Sequence, residues 1–301
     1  WNLEEGNTNG EIYRHEKHPK VYLWNLPDGR DFLTCDDVDT QFLRTARNPP
    51  DKLREVVFLS RHASKSKTPA LTVHPIGVPR ASRWSAEMGG KPGLCPPPSL
   101  SMGKVFRRLR SEAKRMGLVP EFEVTFEATH HGPYLRTPSM FLEIGSCEDH
   151  WHREDAAACW ADTIHHALLE ESPDPEYNGS GGKNPGDPPV ETVVVSLGGG
   201  HYVPFMNDLV LAGKVTPGHM VPSYLLNDVS SDKEWREAVM SALEATRRSL
   251  LSGSGTSGAP PRRLCVYVDK KSFKSEARKL VLEHLEAEKV DSTTNKKDLT
   301  C

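Results

Sequence analysis

The chain has 301 residues, 38 basic and 41 acidic, for a formal net charge of −3. That length fits one or two globular domains, and no apolar run approaches the roughly 18 residues a spanning helix needs. The near-neutral balance argues against a bulk nucleic-acid coat protein. Six scattered cysteines with no Cys-x-x-Cys pair argue against a disulfide framework or zinc ribbon and for a reduced compartment.

In chain order, Glu55–Leu59 reads as a strand leading into Ser60-Arg61-His62-Ala63-Ser64-Lys65 and then Leu71–Pro79, which carries His74. Loops at the carboxyl ends of strands are where open α/β sheets place ligands. Arg61, His62 and Lys65 therefore read either as an anion- or carbonyl-binding loop or as an ordinary polar loop. Ala86–Ser99 is too rich in Gly, Pro and Ser to bury a face. Met102–Met116 is a helix with Val105, Phe106, Leu109 and Ala113 on one side and Gly117 as its C-terminal cap.

Glu121–Ala128 alternates cleanly as a strand, with Phe122, Val124 and Phe126 on one face. If the strand persists, His130 and His131 point to opposite faces and cannot share a metal unless Gly132-Pro133 turns them together. Glu127 and His131 share a face, yet their Cα atoms would stand roughly 13 Å apart, so both could line a pocket without forming a dyad. The bland alternative is one core histidine and one exposed.

Met140–Ile144 is another strand. Glu148–Leu169 reads as one acidic helix, on which His150/His152 and His165/His166 lack the i, i+4 spacing for sharing a metal. Ser172–Pro189 is a loop. Thr192–Leu197 is a near-continuous apolar run, as in a strand buried on both faces. It runs into Gly198-Gly199-Gly200-His201, where the N–H groups could form an anion nest or a plain turn. Walker-type and Rossmann spacings are absent.

Thr216–Pro222 suggests a rigid turn presenting His219. Ser231–Leu251 opens with the capping box Ser231/Glu234, Ser252–Pro261 is a loop, Leu264–Val268 is a strand, and Ser275–Lys289 is the closing helix. The alternation predicts an α/β domain with helices on both faces of a mixed sheet. Eight of the 13 histidines fall between His130 and His219. Four (His130, His131, His201, His219) sit in motif turns and four on the acidic helix. Basic runs at Lys104–Arg115 and Arg262–Lys279 read as phosphate-facing patches or as solvated helix faces.

The strings FLSRHAS (58–64), LTVHPIGVP (71–79), FEATHHGP (126–133), PSMFLEIGS (138–146), GGGHY (198–202) and the Gly-His pair at 218–219 occur in the order of a known family. Over roughly Pro50–Val290 the chain resembles the archaeal and plant type of D-aminoacyl-tRNA deacylase. The resemblance implies a three-layer mixed β-sheet flanked by helices, with a core like that of peptidyl-tRNA hydrolases and phosphorylase/hydrolase folds. It places residues 1–301 in one α/β domain, with the loops 86–99, 172–189 and 252–261 as insertions. In the family an N-terminal strand region precedes the point where this chain begins.

The implied activity is hydrolysis of the ester joining a D-amino acid to the 3′ end of tRNA, extending to aldehyde-modified adducts. The implied setting is a cytoplasmic monomer acting on the tRNA acceptor end, with no membrane or DNA partner. Zinc is the implied cofactor. On this reading His130, His131, His201 and His219 activate water or ligate the metal, and Glu127 and Glu143 serve as base or support. Gly198, Gly199 and Gly200 face an oxyanion or the terminal ribose-phosphate. Ser60, Arg61, His62, Lys65, His74, Thr129, Lys271 and Lys274 bind substrate, the cationic ones holding phosphates. Either zinc lowers the pKa of its water to about 7, or a histidine acts as base without metal. A metallopeptidase or amidohydrolase is the closest rival, weakened by the absence of His-Glu-x-x-His. A non-catalytic tRNA-binding module is the other.

Overall fold

The computed structural model describes residues 1–7, 10–170, 191–213, 215–226, 233–253 and 262–300. The first strands, β1 (Asn2–Asn7), β2 (Gly10–Arg14) and β3 (Tyr22–Asn25), form a small antiparallel sheet. Helix α1 (Val38–Thr45) closes on it through Ile12, Phe42 and Ala46.

The second sheet has the order β4–β7–β5–β6, from β4 (Val56–Arg61), β5 (Ala70–His74), β6 (Glu123–Phe126) and β7 (Ser139–Gly145). β5 runs antiparallel to β7, while the β4–β7 and β5–β6 pairs are parallel. Side chains alternate between faces. Val73, Phe126 and Leu142 pack on α2 (Met102–Arg115) and α4 (Glu154–Ile164) in the main core. The opposite face starts apolar, with Phe58 stacked on Phe141, and becomes polar toward Thr72, His74 and Glu143.

The third sheet is parallel, β11–β10–β8–β9, from β8 (Glu191–Leu197), β9 (Thr216–Val221), β10 (Arg262–Val268) and β11 (Ser292–Thr293). Val194, Cys265 and Tyr267 join the main core with α5 (Pro204–Leu211). Val195, Leu197 and Val266 pack against α6 (Glu234–Gly253) and α7 (Ser275–Ala287). β8 is thus buried on both faces, as its near-continuous apolar run predicts.

The chain leaving β6 stitches the second sheet to the third. Val203 N donates to Phe126 O at 3.0 Å, Ala128 N to His201 O at 2.7 Å, and Thr129 N to Met220 O at 2.7 Å. The mixed α/β expectation holds, with the strands divided among several sheets instead of one.

Three local expectations are corrected. The helix predicted at 148–169 is broken at His152–Arg153 into α3 (Glu148–Trp151) and α4, and it ends in a π-helical turn, His165–Leu169. The segment 86–99 is exposed only in its first part. Residues 95–99 form a buried strap whose carbonyls are satisfied by Arg248 (Cys95 O, 2.8 Å), Ser249 (Pro98 O, 2.7 Å) and Ser139 N (Pro97 O, 2.9 Å). Thr216–Val221 is a fully buried strand, not a turn. Ser231 of the expected capping box lies outside the described residues; Glu234 pairs with Ser82 and Arg80. The predicted loop 172–189 and most of 252–261 also lie outside them.

Candidate active site

Glu127, wholly buried, is the hub of a histidine cluster on the polar face of the second sheet. Its Oε1 lies 3.3 Å from His62 Nδ1, and its Oε2 lies 2.9 Å from His201 Nε2 and 3.6 Å from His130 Nε2. Glu143, in the middle of β7, lies 3.5 Å from His62 Nδ1 and 3.6 Å from His74 Nε2. The antiparallel β5–β7 register brings this about by setting Glu143 opposite Thr72, one pleat from His74.

The rings of His74, His130 and His131 are in mutual contact, with centroids 4.2 to 5.0 Å apart. His131 adopts φ 41°, and Gly77 N holds the turn by donating to His131 O at 2.8 Å. That conformation defeats strand alternation and swings the two adjacent histidines together, the one route the sequence left open. Gly132 is required just after: a Cβ there would stand 2.2 Å from Gly90 N. Gly145 backs the His62 ring, where a Cβ would meet Cδ2 at 2.8 Å.

The charge pattern follows from the contacts. Burial alone would lower His62 and His74, but Glu143 and Glu127 beside them outweigh it and raise both above the ordinary histidine value. Burial and the neighbouring imidazoles push His130 well down and His131 to about 4. Burial opposes the charged form of both carboxylates, yet the surrounding imidazoles prevail: Glu127 is lowered and Glu143 lowered strongly. The hub therefore holds two carboxylates and at least two neutral imidazoles.

Three of these imidazoles place Nδ1 on a backbone carbonyl: His74 on Pro75 (3.2 Å), His130 on Ala128 (2.8 Å) and His131 on Gly132 (2.6 Å). With Nδ1–H donating, His130 and His131, both kept neutral, hold a lone pair on Nε2, the tautomer a metal-ligating histidine needs, whereas at His74 the Glu143 carboxylate favours a proton on Nε2 that a metal would displace. His74 Nε2 is buried without a hydrogen-bond partner. Three overlapping groups of metal-capable atoms lie here, each within 4.8 Å: His74/His130/His131, His62/Glu127/His201 and His74/Glu127/Glu143. The nitrogen-and-carboxylate donor set fits a borderline divalent cation.

Of the predicted site residues, His130, His131, His201, Glu127, Glu143, His62 and His74 come together. His219 does not, and its assignment as a ligand is corrected. It is fully buried, with Nδ1 3.1 Å from Thr129 Oγ1 and Nε2 2.9 Å from Pro96 O, so both nitrogens are engaged. Thr129 is equally structural, since its hydroxyl accepts from Met220 N at 2.9 Å. The nest expected of the glycines is also largely spent. Gly198 N donates to Val221 O (2.9 Å) and Gly199 N to Ser272 Oγ (2.7 Å).

Ser60 turns its hydroxyl to Arg61 O, and Arg61 stacks on Trp151 at 4.9 Å. Lys65, Lys271 and Lys274 are exposed. On the basic helix α2 three of the six cations are engaged within the protein: Arg107 donates to Val210 O, and Arg108 and Arg115 pair with Glu112. Among the remaining histidines, Glu170 reaches both His165 (3.0 Å) and His166 (3.1 Å) across the exposed π-turn, a contact the helical spacing argument missed.

Sequence reasoning placed His62 and His74 on loops and overlooked Tyr202. Tyr202 Oη lies 3.3 Å from His62 Nε2, and its ring stacks beside His201. The immediate Gly-His-Tyr sequence was the available signal.

The sequence model of the family described as D-aminoacyl-tRNA deacylase matches residues 50–293. The chain belongs to this family. A D-aminoacyl-tRNA deacylase of Arabidopsis thaliana is 38% identical over 275 residues, 87% of this chain and 81% of the relative. Another, from Methanothrix thermoacetophila, is 33% identical over 82% of this chain and 76% of its own length. A crystal structure described as a conserved protein of unknown function superposes with a TM-score of 0.72 at 24% identity, covering 99% of this chain and 87% of that one, and so shares the fold. The deacylase resemblance read from the motifs is borne out, and the cluster around Glu127 occupies those same motifs.

Proposed function

We propose that the chain hydrolyses the ester of D-aminoacyl-tRNA at the cluster around Glu127. The observation that carries this is the convergence of two deprotonated buried carboxylates and five imidazoles beside a glycine loop, with His201 as the member open to solvent at 41% exposure. Ester hydrolysis needs an activated water and a place for its proton. Glu127 and Glu143 are held as acceptors, and His201 faces the space where the 3′-terminal ester would lie. His131 and His130, kept neutral, hold their lone pairs inward.

A zinc ion bound by His74, His130 and His131, or by His62, Glu127 and His201, would supply Lewis acidity and a water of pKa about 7. Lys271 and Lys274 bind tRNA phosphate at the outer side of the glycine loop. No helix among the described residues is long and apolar enough to cross a membrane. Five of the cysteines are free thiols, which supports the reading of a reduced, cytoplasmic compartment.

The test is deacylation of matched D- and L-aminoacyl-tRNA, with metal content and activity measured before and after chelation. Selective D-ester cleavage that falls on chelation and returns with zinc is expected. Equal cleavage of the L-ester overturns the substrate assignment, and full activity in metal-free protein overturns the zinc.

A further inference from the structure

Gly199 is gripped from two sides. Its N–H donates to Ser272 Oγ, which in turn donates to Asp269 Oδ2 at 2.6 Å. Its carbonyl accepts from both Ser223 N (3.0 Å) and Ser223 Oγ (2.8 Å). One residue, two positions from His201, therefore fixes the turn that carries Lys271 on one flank and the turn that carries Tyr224 on the other.

Tyr224 is a large aromatic that is 39% exposed. It sits in the single 3₁₀ turn Ser223–Leu225 at the end of β9. Its neighbours Leu225 and Leu226 are buried, and the turn is closed by Leu225 N on Pro222 O and Leu226 N on Ser223 O. The ring is thus presented to solvent from a rigid base. The Ser223 bonds to Gly199 O seat this turn against the glycine loop, and burial first, with the Glu127 charge adding to it, raises the pKa of the Tyr224 hydroxyl. Nothing in the catalytic cluster uses it.

Resting on the deacylase reading, we infer that Tyr224 is the stacking platform for the terminal base of the tRNA 3′ end. With the ester carbonyl at His201, the terminal ribose lies over the glycine loop. The base then has an aromatic face on one flank, and the preceding phosphates have Lys271 and Lys274 on the other. Single-stranded nucleic acid is commonly held by this pairing of an aromatic face with a cationic track. An uncharged ring offers a phosphate little, whereas a purine offers the ring its full π-face. Because the platform is prebuilt, little ordering cost falls on binding.

The experiment compares the wild type with Tyr224→Ala, Tyr224→Leu and Tyr224→Phe on D-Tyr-tRNA and D-Ala-tRNA, with thermal melting to confirm folding. Loss of one stacked base lowers affinity roughly 5- to 150-fold. Tyr224→Ala and Tyr224→Leu are expected to raise KM by that factor for both substrates with kcat little changed, while Tyr224→Phe behaves as wild type. The platform is overturned if Ala matches wild type, if Leu restores binding as well as Phe, if the loss falls on kcat, or if it is confined to D-Tyr-tRNA. A wild type that leaves D-Tyr-tRNA intact overturns the deacylase reading itself, and the platform with it.

Discussion

Glu127→Gln keeps the volume and planar shape of the hub side chain, removes its charge and replaces one acceptor oxygen with an NH2 donor. Three contacts change at once: His62 Nδ1 at 3.3 Å, His201 Nε2 at 2.9 Å and His130 Nε2 at 3.6 Å. A positioned general base is worth about 10²- to 10⁴-fold in rate, which is about 3–5 kcal/mol of barrier. The effect on stability is smaller. His62 retains Glu143 at 3.5 Å, so its imidazole is not left without a carboxylate. A lost buried hydrogen-bond partner costs about 1–3 kcal/mol, against about 3–5 for stranding a buried charge. Single-turnover deacylation of D-Tyr-tRNA at saturating enzyme, paired with urea unfolding, separates the two effects. The expected result is a folded protein with its chemical step slowed by at least two decades. A folded Glu127→Gln protein that cleaves at the wild-type rate refutes the hub.

Gly145→Ala drives a methyl to 2.8 Å from His62 Cδ2, so deacylation should fall while tRNA binding persists; unchanged kcat would show that the His62 ring can move freely. Lys271→Ala should weaken tRNA binding and reduce the slope of log K against log salt by about one, and an unaltered slope counts against a phosphate there. His219 gives a pH prediction. Burial lowers its pKa to about 4 in the folded chain, against the ordinary 6.5, so below pH 6.5 the unfolded chain binds the extra proton. Its contribution is complete above pH 6.5 and is lost as pH falls toward 4, a total on the order of 3 kcal/mol. His219→Gln should be less stable at pH 7.5 but lose less stability across that window, and parallel stability curves would contradict the assignment.

The legible parts of this chain are those governed by local chemistry. β8 reads as buried on both faces because its apolar run is near-continuous, and α2 reads as a one-sided helix because its apolar positions recur with the helical period. The misread parts are decided by distant partners. His130 and His131 look opposed until Gly77 N pins His131 in a left-handed conformation. His219 looks like a presented ligand because Gly-His between prolines suggests a turn, yet the 95–99 strap and the chain beyond β6 occupy both its nitrogens through Pro96 O and Thr129 Oγ1. The π-turn at His165 obeys no 3.6-residue period, so its Glu170 bridge is invisible to a helical wheel. Glu127 shows the limit most sharply. Its own strand predicts no histidine within reach, and its three partners arrive from the residue after β4, from the chain beyond β6, and from the loop after β8. The Ala128–His201 backbone bond, which joins two sheets, is what sets that last distance. Histidine-rich motifs can name the donors of such a site, but the register between sheets decides which donors meet, and that register is written in backbone hydrogen bonds more than 70 residues apart in the chain.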